Sequence, residues 1–179
     1  RAQDYSGIER ELVSIEGETS RLVGSVLRAT PERSATYVEE RLTDGELFYR
    51  LHDYVRASII LSDIVENFPN HRATPDATYL LGDSLFMAGD YLGARSRFRT
   101  ILDRANDASY RPLVQRALAR LVEIAIRTRN FDGVDDYFQR LSQMPSGQAE
   151  ASVTYFRAKY LYSRAVPYED TAIGQDRSV

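Results

Sequence analysis

The sequence predicts an all-α protein: a right-handed α-solenoid of helix hairpins with an extra helix in front of them. Three observations predict it. The first is the stretch from Tyr79 to Phe98, where Leu81-Gly82 follows a helical period, Gly89-Asp90-Tyr91 interrupts it, and Ala94 and Phe98 resume it one turn apart. The second is recurrence. His52-Asp53-Tyr54 followed by Ala57 and Leu61 stands upstream, and Asn130-Phe131-Asp132 followed by Val134 and Phe138 stands downstream. The third is that the turn aromatics Tyr54, Tyr91 and Phe131 are spaced by 37 and 40 residues, the length of a helix pair with its loops.

The elements follow in chain order. Residues 1–30 form the extra helix, opened by the capping box Ser6-Gly7-Ile8-Glu9, whose serine oxygen accepts a first-turn amide while the glutamate reaches back. Ile8, Leu12, Ile15, Thr19, Leu22 and Val26 recur at spacings of four and three, a heptad stripe that favours packing on the first hairpin over the alternative of a self-associating coiled coil. Gly17 and Gly24 weaken this helix by roughly 1 kcal/mol each relative to alanine.

Thr30-Pro31 ends it and opens the next, proline being tolerated at the first helical position. The repeats span 31–166, as hairpins at about 31–70, 74–106 and 110–145 followed by a lone helix at 147–165. In each first helix a small residue permits close approach: Gly45 with Leu42 and Phe48, then Gly82. Thr74-Pro75 and Pro112 start helices in the same way as Pro31. The lone helix carries Tyr155, Ala158 and Tyr162 in a large-small-large order and is apolar nearly all round, which favours a chain continuing beyond Val179 over a solvating cap. Pro167 breaks the pattern, and 167–179 reads as a polar tail.

The Leu81-Gly82, Gly89-Asp90-Tyr91 and Ala94-x3-Phe98 set resembles the tetratricopeptide-repeat family, whose unit has a period of about 34 residues. The resemblance covers roughly 37–164 and is most specific in the second hairpin. The loose spacing and the Gly-Asp-Tyr turn look most like bacterial cell-envelope members, of the kind found in outer-membrane assembly and beside Tol-Pal. It implies a non-enzymatic scaffold in a multiprotein envelope assembly, with a periplasmic location favoured over a cytoplasmic one. Two features depart from that branch: no lipidated cysteine is present, and the N-terminal stripe is short.

Composition excludes several classes. With 179 residues, 43% of them hydrophobic and 27% charged, the chain is an ordinary globular one. A net charge of −3 argues against a nucleic-acid binder, which needs a cationic excess. No apolar run reaches the roughly 18 residues of a membrane-spanning helix. The absence of cysteine removes disulfides, thiolate metal sites and cysteine nucleophiles.

Gly82-Asp83-Ser84-Leu85 spells an esterase signature. That chemistry needs the serine on a strand-to-helix turn with a later histidine as base, and His52 and His71 both precede it. The two histidines sit in turns without further ligand-type neighbours, so neither a metal nor a cofactor is expected.

A concave face remains, lined by first-helix positions not used for packing. Alignment of the hairpins assigns to it Leu42, Glu46, Tyr49 and Arg50, then Asp76, Tyr79, Asp83, Phe86 and Met87, then Arg116, Glu123 and Arg127, and last Phe156, Tyr160 and Arg164. Tyrosine, arginine, phenylalanine and methionine are enriched at interfaces, so the expected ligand is a segment of another protein. The acidic members fall early and the arginines late, predicting a groove of opposite charge at its two ends. The alternative is an architectural module that associates through its N-terminal helix or its lone C-terminal helix and binds no peptide.

Overall fold

A computed structural model describes residues 6–27, 31–143 and 149–165. Among these every regular element is helical: α1 (Ser6–Leu27), α2 (Pro31–Arg50), α3 (Tyr54–Asn67), α4 (Thr74–Met87), α5 (Tyr91–Asp103), a single 3-10 turn (Arg111–Leu113), α6 (Val114–Thr128), α7 (Val134–Ser142) and α8 (Ala149–Ala165). The expected breaks at Thr30, Pro145 and Pro167 and the tail 167–179 lie outside the described residues. The single run of repeats expected over 31–166 divides into two compact units, Arg1–Leu113 and Val114–Val179.

In the first unit α2 packs on α3, α3 on α4, α4 on α5, and α2 also on α4. The hairpins α2–α3 and α4–α5 are built by the same local chemistry 37 residues apart. Each first helix ends in a left-handed residue, His52 at φ 62° and Gly89 at φ 87°. The amides that follow close the helix end in matched fashion. His52 N–H donates to the Tyr49 carbonyl and Asp53 N–H to that of Phe48, as Gly89 N–H donates to Phe86 and Asp90 N–H to Leu85. Asp53 and Asp90 then cap the second helices, accepting from the amides of Arg56 and Gly93 at 3.1 and 2.9 Å. Glycine meets the left-handed position without a Cβ penalty, whereas His52 takes it at some conformational cost.

The close-approach glycines act as their positions predict. A methyl carbon built on Gly82 would lie 2.9 Å from Phe98 Cε1 and 3.0 Å from Cζ, and one on Gly45 would lie 2.7 Å from Leu61 Cδ2 and 2.8 Å from Cγ. Such distances are inside contact range, so each second helix seats its large residue directly on the backbone of the first. Ala57 and Ala94, one turn before those residues, are fully buried. Around the first pair a core of Val38, Ala57, Leu61, Ile64, Phe68, Ala73, Ala77 and Leu81 closes.

Helix α1 lies against α3, and the side chains of its expected capping box, Ser6 and Glu9, fall outside the described ones. Of its heptad stripe, Ile8 and Leu12 fall outside the described side chains, and Ile15, Leu22 and Val26 remain exposed. The helix rests on the hairpin with a cleft of about 410 Å³ on one side, lined by Ile15, Thr19, Val23, Tyr37, Phe48 and Ile60. A more polar cleft of about 310 Å³, lined by Ser14, Glu18, Arg21, Ser62 and Glu66, flanks the other side.

In the second unit α6, α7 and α8 pack on one another. Leu118, Leu121, Val122, Ile124, Val134, Phe138 and Leu141 are buried. The third copy is looser than its predecessors. Arg129 takes the left-handed position at φ 52°, but α7 starts only at Val134, after Gly133 at φ 79°, so Phe131 precedes its helix by three residues instead of opening it. Val122 stands where the earlier hairpins have glycine, and no close backbone seat is available at that point.

Candidate functional site

The residues assigned to a groove separate by burial into two sets. Tyr79, Asp83 and Phe86 are buried in the first unit. The Tyr79 ring lies 5.7 Å from that of Phe98, and Phe86 lies edge-on to Tyr91 at 5.7 Å. Tyr49 and Tyr54 repeat the second contact at 5.6 Å, so these first-helix aromatics clamp the start of their own second helix. Half-buried Tyr49 also donates from its hydroxyl to Asp83 Oδ2 at 2.6 Å, linking α2 to α4. Tyr79, Asp83 and Phe86 are thus engaged inside the fold, while Tyr49 keeps part of its surface. Glu46, Arg50, Asp76 and Met87 are exposed, and Leu42 is half-buried against the core.

In the second unit Tyr160 is buried between Phe131 and Phe138, at ring distances of 5.4 and 5.5 Å, and its hydroxyl accepts from Arg164 Nη1 at 3.2 Å. It belongs to the core there because α8 packs on α7 through it. Glu123 is held by Arg120 at 2.9 Å and by Arg127 at 3.3 Å, so part of the charge expected from Arg127 is already compensated. Phe156 is half-buried beside Tyr155, while Arg116, Arg127 and Arg164 are exposed. Within the first unit the exposed charged groove positions are Glu46, Arg50 and Asp76, since Asp83 is buried and bonded to Tyr49.

Sequence reasoning missed two features. One is a buried polar cluster on the α2–α3 pair. Asp63 accepts from the Tyr37 hydroxyl at 2.7 Å and from the Asn67 amide at 2.7 Å, and Arg41 lies 3.5 Å away. Burial, and then the hydrogen bond to Asp63, pushes the Tyr37 hydroxyl up to about 12. No periodicity announces such a cluster, because Tyr37 and Asp63 stand at unrelated places in the repeat.

The other is an apolar rim at the hairpin turns. Leu51, Val55 and Leu92 are exposed, Val55 and Leu92 both directly after the turn tyrosine. That matched placement was readable from the 37-residue offset.

The residues weighed for chemistry have local roles. Ser84 is buried within α4 and donates to the Leu80 carbonyl at 2.8 Å, away from any strand-to-helix turn. His52 stands edge-on to Tyr54 at 5.8 Å, and His71 Nδ1 accepts from the Ala73 amide at 3.2 Å. No described helix is long and apolar enough to cross a membrane. Among the described residues the chain is thus all-helical and contains two matched, interlocked hairpins. No family model, no curated protein and no solved structure matches it.

Proposed function

We propose that this chain is a non-enzymatic scaffold of the tetratricopeptide-repeat kind, its hairpins stacked as a right-handed solenoid that holds a segment of another protein. The observation that carries this reading is the matched seating of Leu61 on Gly45 and of Phe98 on Gly82, with the same turn closure and the same aspartate cap in both hairpins. A unit that repeats its packing chemistry at a fixed offset is one that stacks, and stacked hairpins align their first helices. Within each unit taken by itself, the exposed positions proposed to contact a ligand are Glu46, Arg50, Asp76 and Met87 in the first and Arg116, Arg127 and Arg164 in the second. Arginine supplies bidentate contacts to carboxylates, and methionine supplies an adaptable apolar contact. The resemblance to envelope members makes a bacterial periplasmic assembly the setting proposed.

A random peptide display library panned on the purified chain tests it. Peptides retained by the wild type should be lost from an Arg50→Glu, Met87→Ala, Arg127→Glu variant of unchanged circular dichroism. Equal retention by both, or no enrichment of any peptide, would count against the groove.

A further inference from the structure

Within the second unit, α7 and α8 enclose a cleft of about 310 Å³, the lower end of the size range of ligand sites. Each helix contributes one face two turns long, from Asp135 to Ser142 on α7 and from Arg157 to Arg164 on α8. Phe138 and Tyr160 form its buried part, their ring centroids 5.5 Å apart.

The cleft carries an excess of positive charge. Arg157 and Arg164 both line it from α8, two turns apart with Tyr160 between them. Neighbouring arginines of the unit are held by carboxylates, Arg140 by Asp136 at 2.9 Å and Arg127 by Glu123 at 3.3 Å. Among the described residues no carboxylate forms an ion pair with Arg157 or Arg164. Asp135 lines the same cleft, so two guanidinium groups and one carboxylate leave it one net positive charge.

A second observation is independent of that charge. Tyr160 is only 4% exposed, and its hydroxyl oxygen accepts from Arg164 Nη1 at 3.2 Å. The hydroxyl has its own proton still to give, and among the described residues nothing accepts it. A buried donor without an acceptor costs free energy, which an oxygen-bearing ligand in the cleft would recover.

The placement of the donors decides which anion fits. Arg157, Arg164 and the Tyr160 hydroxyl reach the cleft from α8, and the Gln139 amide reaches it from α7. A planar carboxylate is satisfied by one guanidinium fork in its own plane, whereas the oxygens of a phosphate group point in several directions and use donors from two walls. We propose that this cleft binds a phosphate ester, its phosphoryl oxygens held by Arg157, Arg164 and Tyr160 with Gln139 opposite, and its carbon part against Phe138 and Leu161. The site goes beyond the scaffold reading and shares only Arg164 with the exposed positions proposed there. It depends on no stacking of hairpins.

Isothermal titration calorimetry of the full chain at fixed ionic strength, with glycerol 3-phosphate as the probe, tests it. One site per chain is expected, with acetate bound about tenfold more weakly or worse. Arg157→Gln should weaken binding by about tenfold or more, and so should Tyr160→Phe, which keeps its ring against Phe131 and Phe138. Asp135→Asn removes the like charge and should tighten binding, a gain that misfolding does not produce. Co-sedimentation with vesicles of phosphatidylcholine, with and without phosphatidylglycerol, separates the two sources of a phosphate ester. Sedimentation only with phosphatidylglycerol, competed by glycerol 3-phosphate, assigns a lipid headgroup, and titration without sedimentation assigns a soluble ester. Neither heat nor sedimentation, acetate bound as tightly as glycerol 3-phosphate, an Arg157→Gln variant that binds as the wild type does, or an Asp135→Asn variant that gains nothing would overturn the proposal. None of the residues changed here is among the exposed groove positions, so the groove reading stands or falls separately.

Discussion

Tyr49 donates its hydroxyl proton to Asp83 Oδ2 across 2.6 Å, and this bond joins the first helices of two successive hairpins. The two residues sit 34 positions apart, one at the end of α2 and the other in the middle of α4. Their hydrogen bond fixes the offset between hairpins by a directional contact, where apolar packing alone allows small slips. Asp83 is buried, and a buried carboxylate that loses a donor bears part of its desolvation uncompensated. Tyr49→Phe keeps the ring against Tyr54 and removes only the hydroxyl. It should lower the stability of the first unit by about 1–2 kcal/mol, read as a lower urea midpoint at unchanged slope.

Glycine-to-alanine substitution should change sign with position. Alanine at half-buried Gly17, which has open space around its Cβ, improves helix propensity by up to about 1 kcal/mol and should raise the melting temperature. At Gly45 the same methyl meets the fully buried Leu61 at 2.7 Å, where overpacking of about 1–3 kcal/mol outweighs the propensity gain. Thermal melts of the two single variants, followed by circular dichroism, should therefore move in opposite directions.

Tyr37 gives the first unit an alkaline limit. Its folded-state value is raised to about 12 by burial and by the bond to Asp63, against an ordinary value of 10.0. A group whose folded value is raised contributes stability that is fully present below pH 10 and is lost as pH climbs toward 12. Because other tyrosines titrate in the same range, the test is a difference. Tyr37→Phe should be less stable than the wild type at pH 8, with the gap narrowing between pH 10 and 12 in urea titrations.

The sequence made the hairpins legible because their determinants are local. Gly82 and Phe98, or Gly45 and Leu61, lie sixteen residues apart, and the turn between them is dictated by one left-handed position and one capping aspartate. Helix boundaries in the first unit follow from those same few residues. The groove was less legible because alignment says which way a position points within its repeat but not what arrives to cover it. Tyr79 and Phe86 were assigned outward, and both are covered by their own second helix, at Phe98 and Tyr91. Tyr160 is drawn into the core by Phe131 and Phe138, and the delayed start of α7 keeps Phe131 outside the helix that it was expected to open. The Tyr37–Asp63 bond spans two helices at positions with no shared period, so nothing in the pattern marks it.

The central claim is that Phe98 is seated directly on the Gly82 backbone and that this interlock defines the repeating hairpin. A double-mutant cycle of Gly82→Ala and Phe98→Leu, measured by urea unfolding, tests it most directly. Each single change should destabilise, the first by crowding the ring and the second by leaving a void. The pair should be more stable than the sum of the two by about 1 kcal/mol or more, because the smaller side chain makes room for the added methyl. Additive effects, or a Gly82→Ala variant as stable as the wild type, would contradict the interlock.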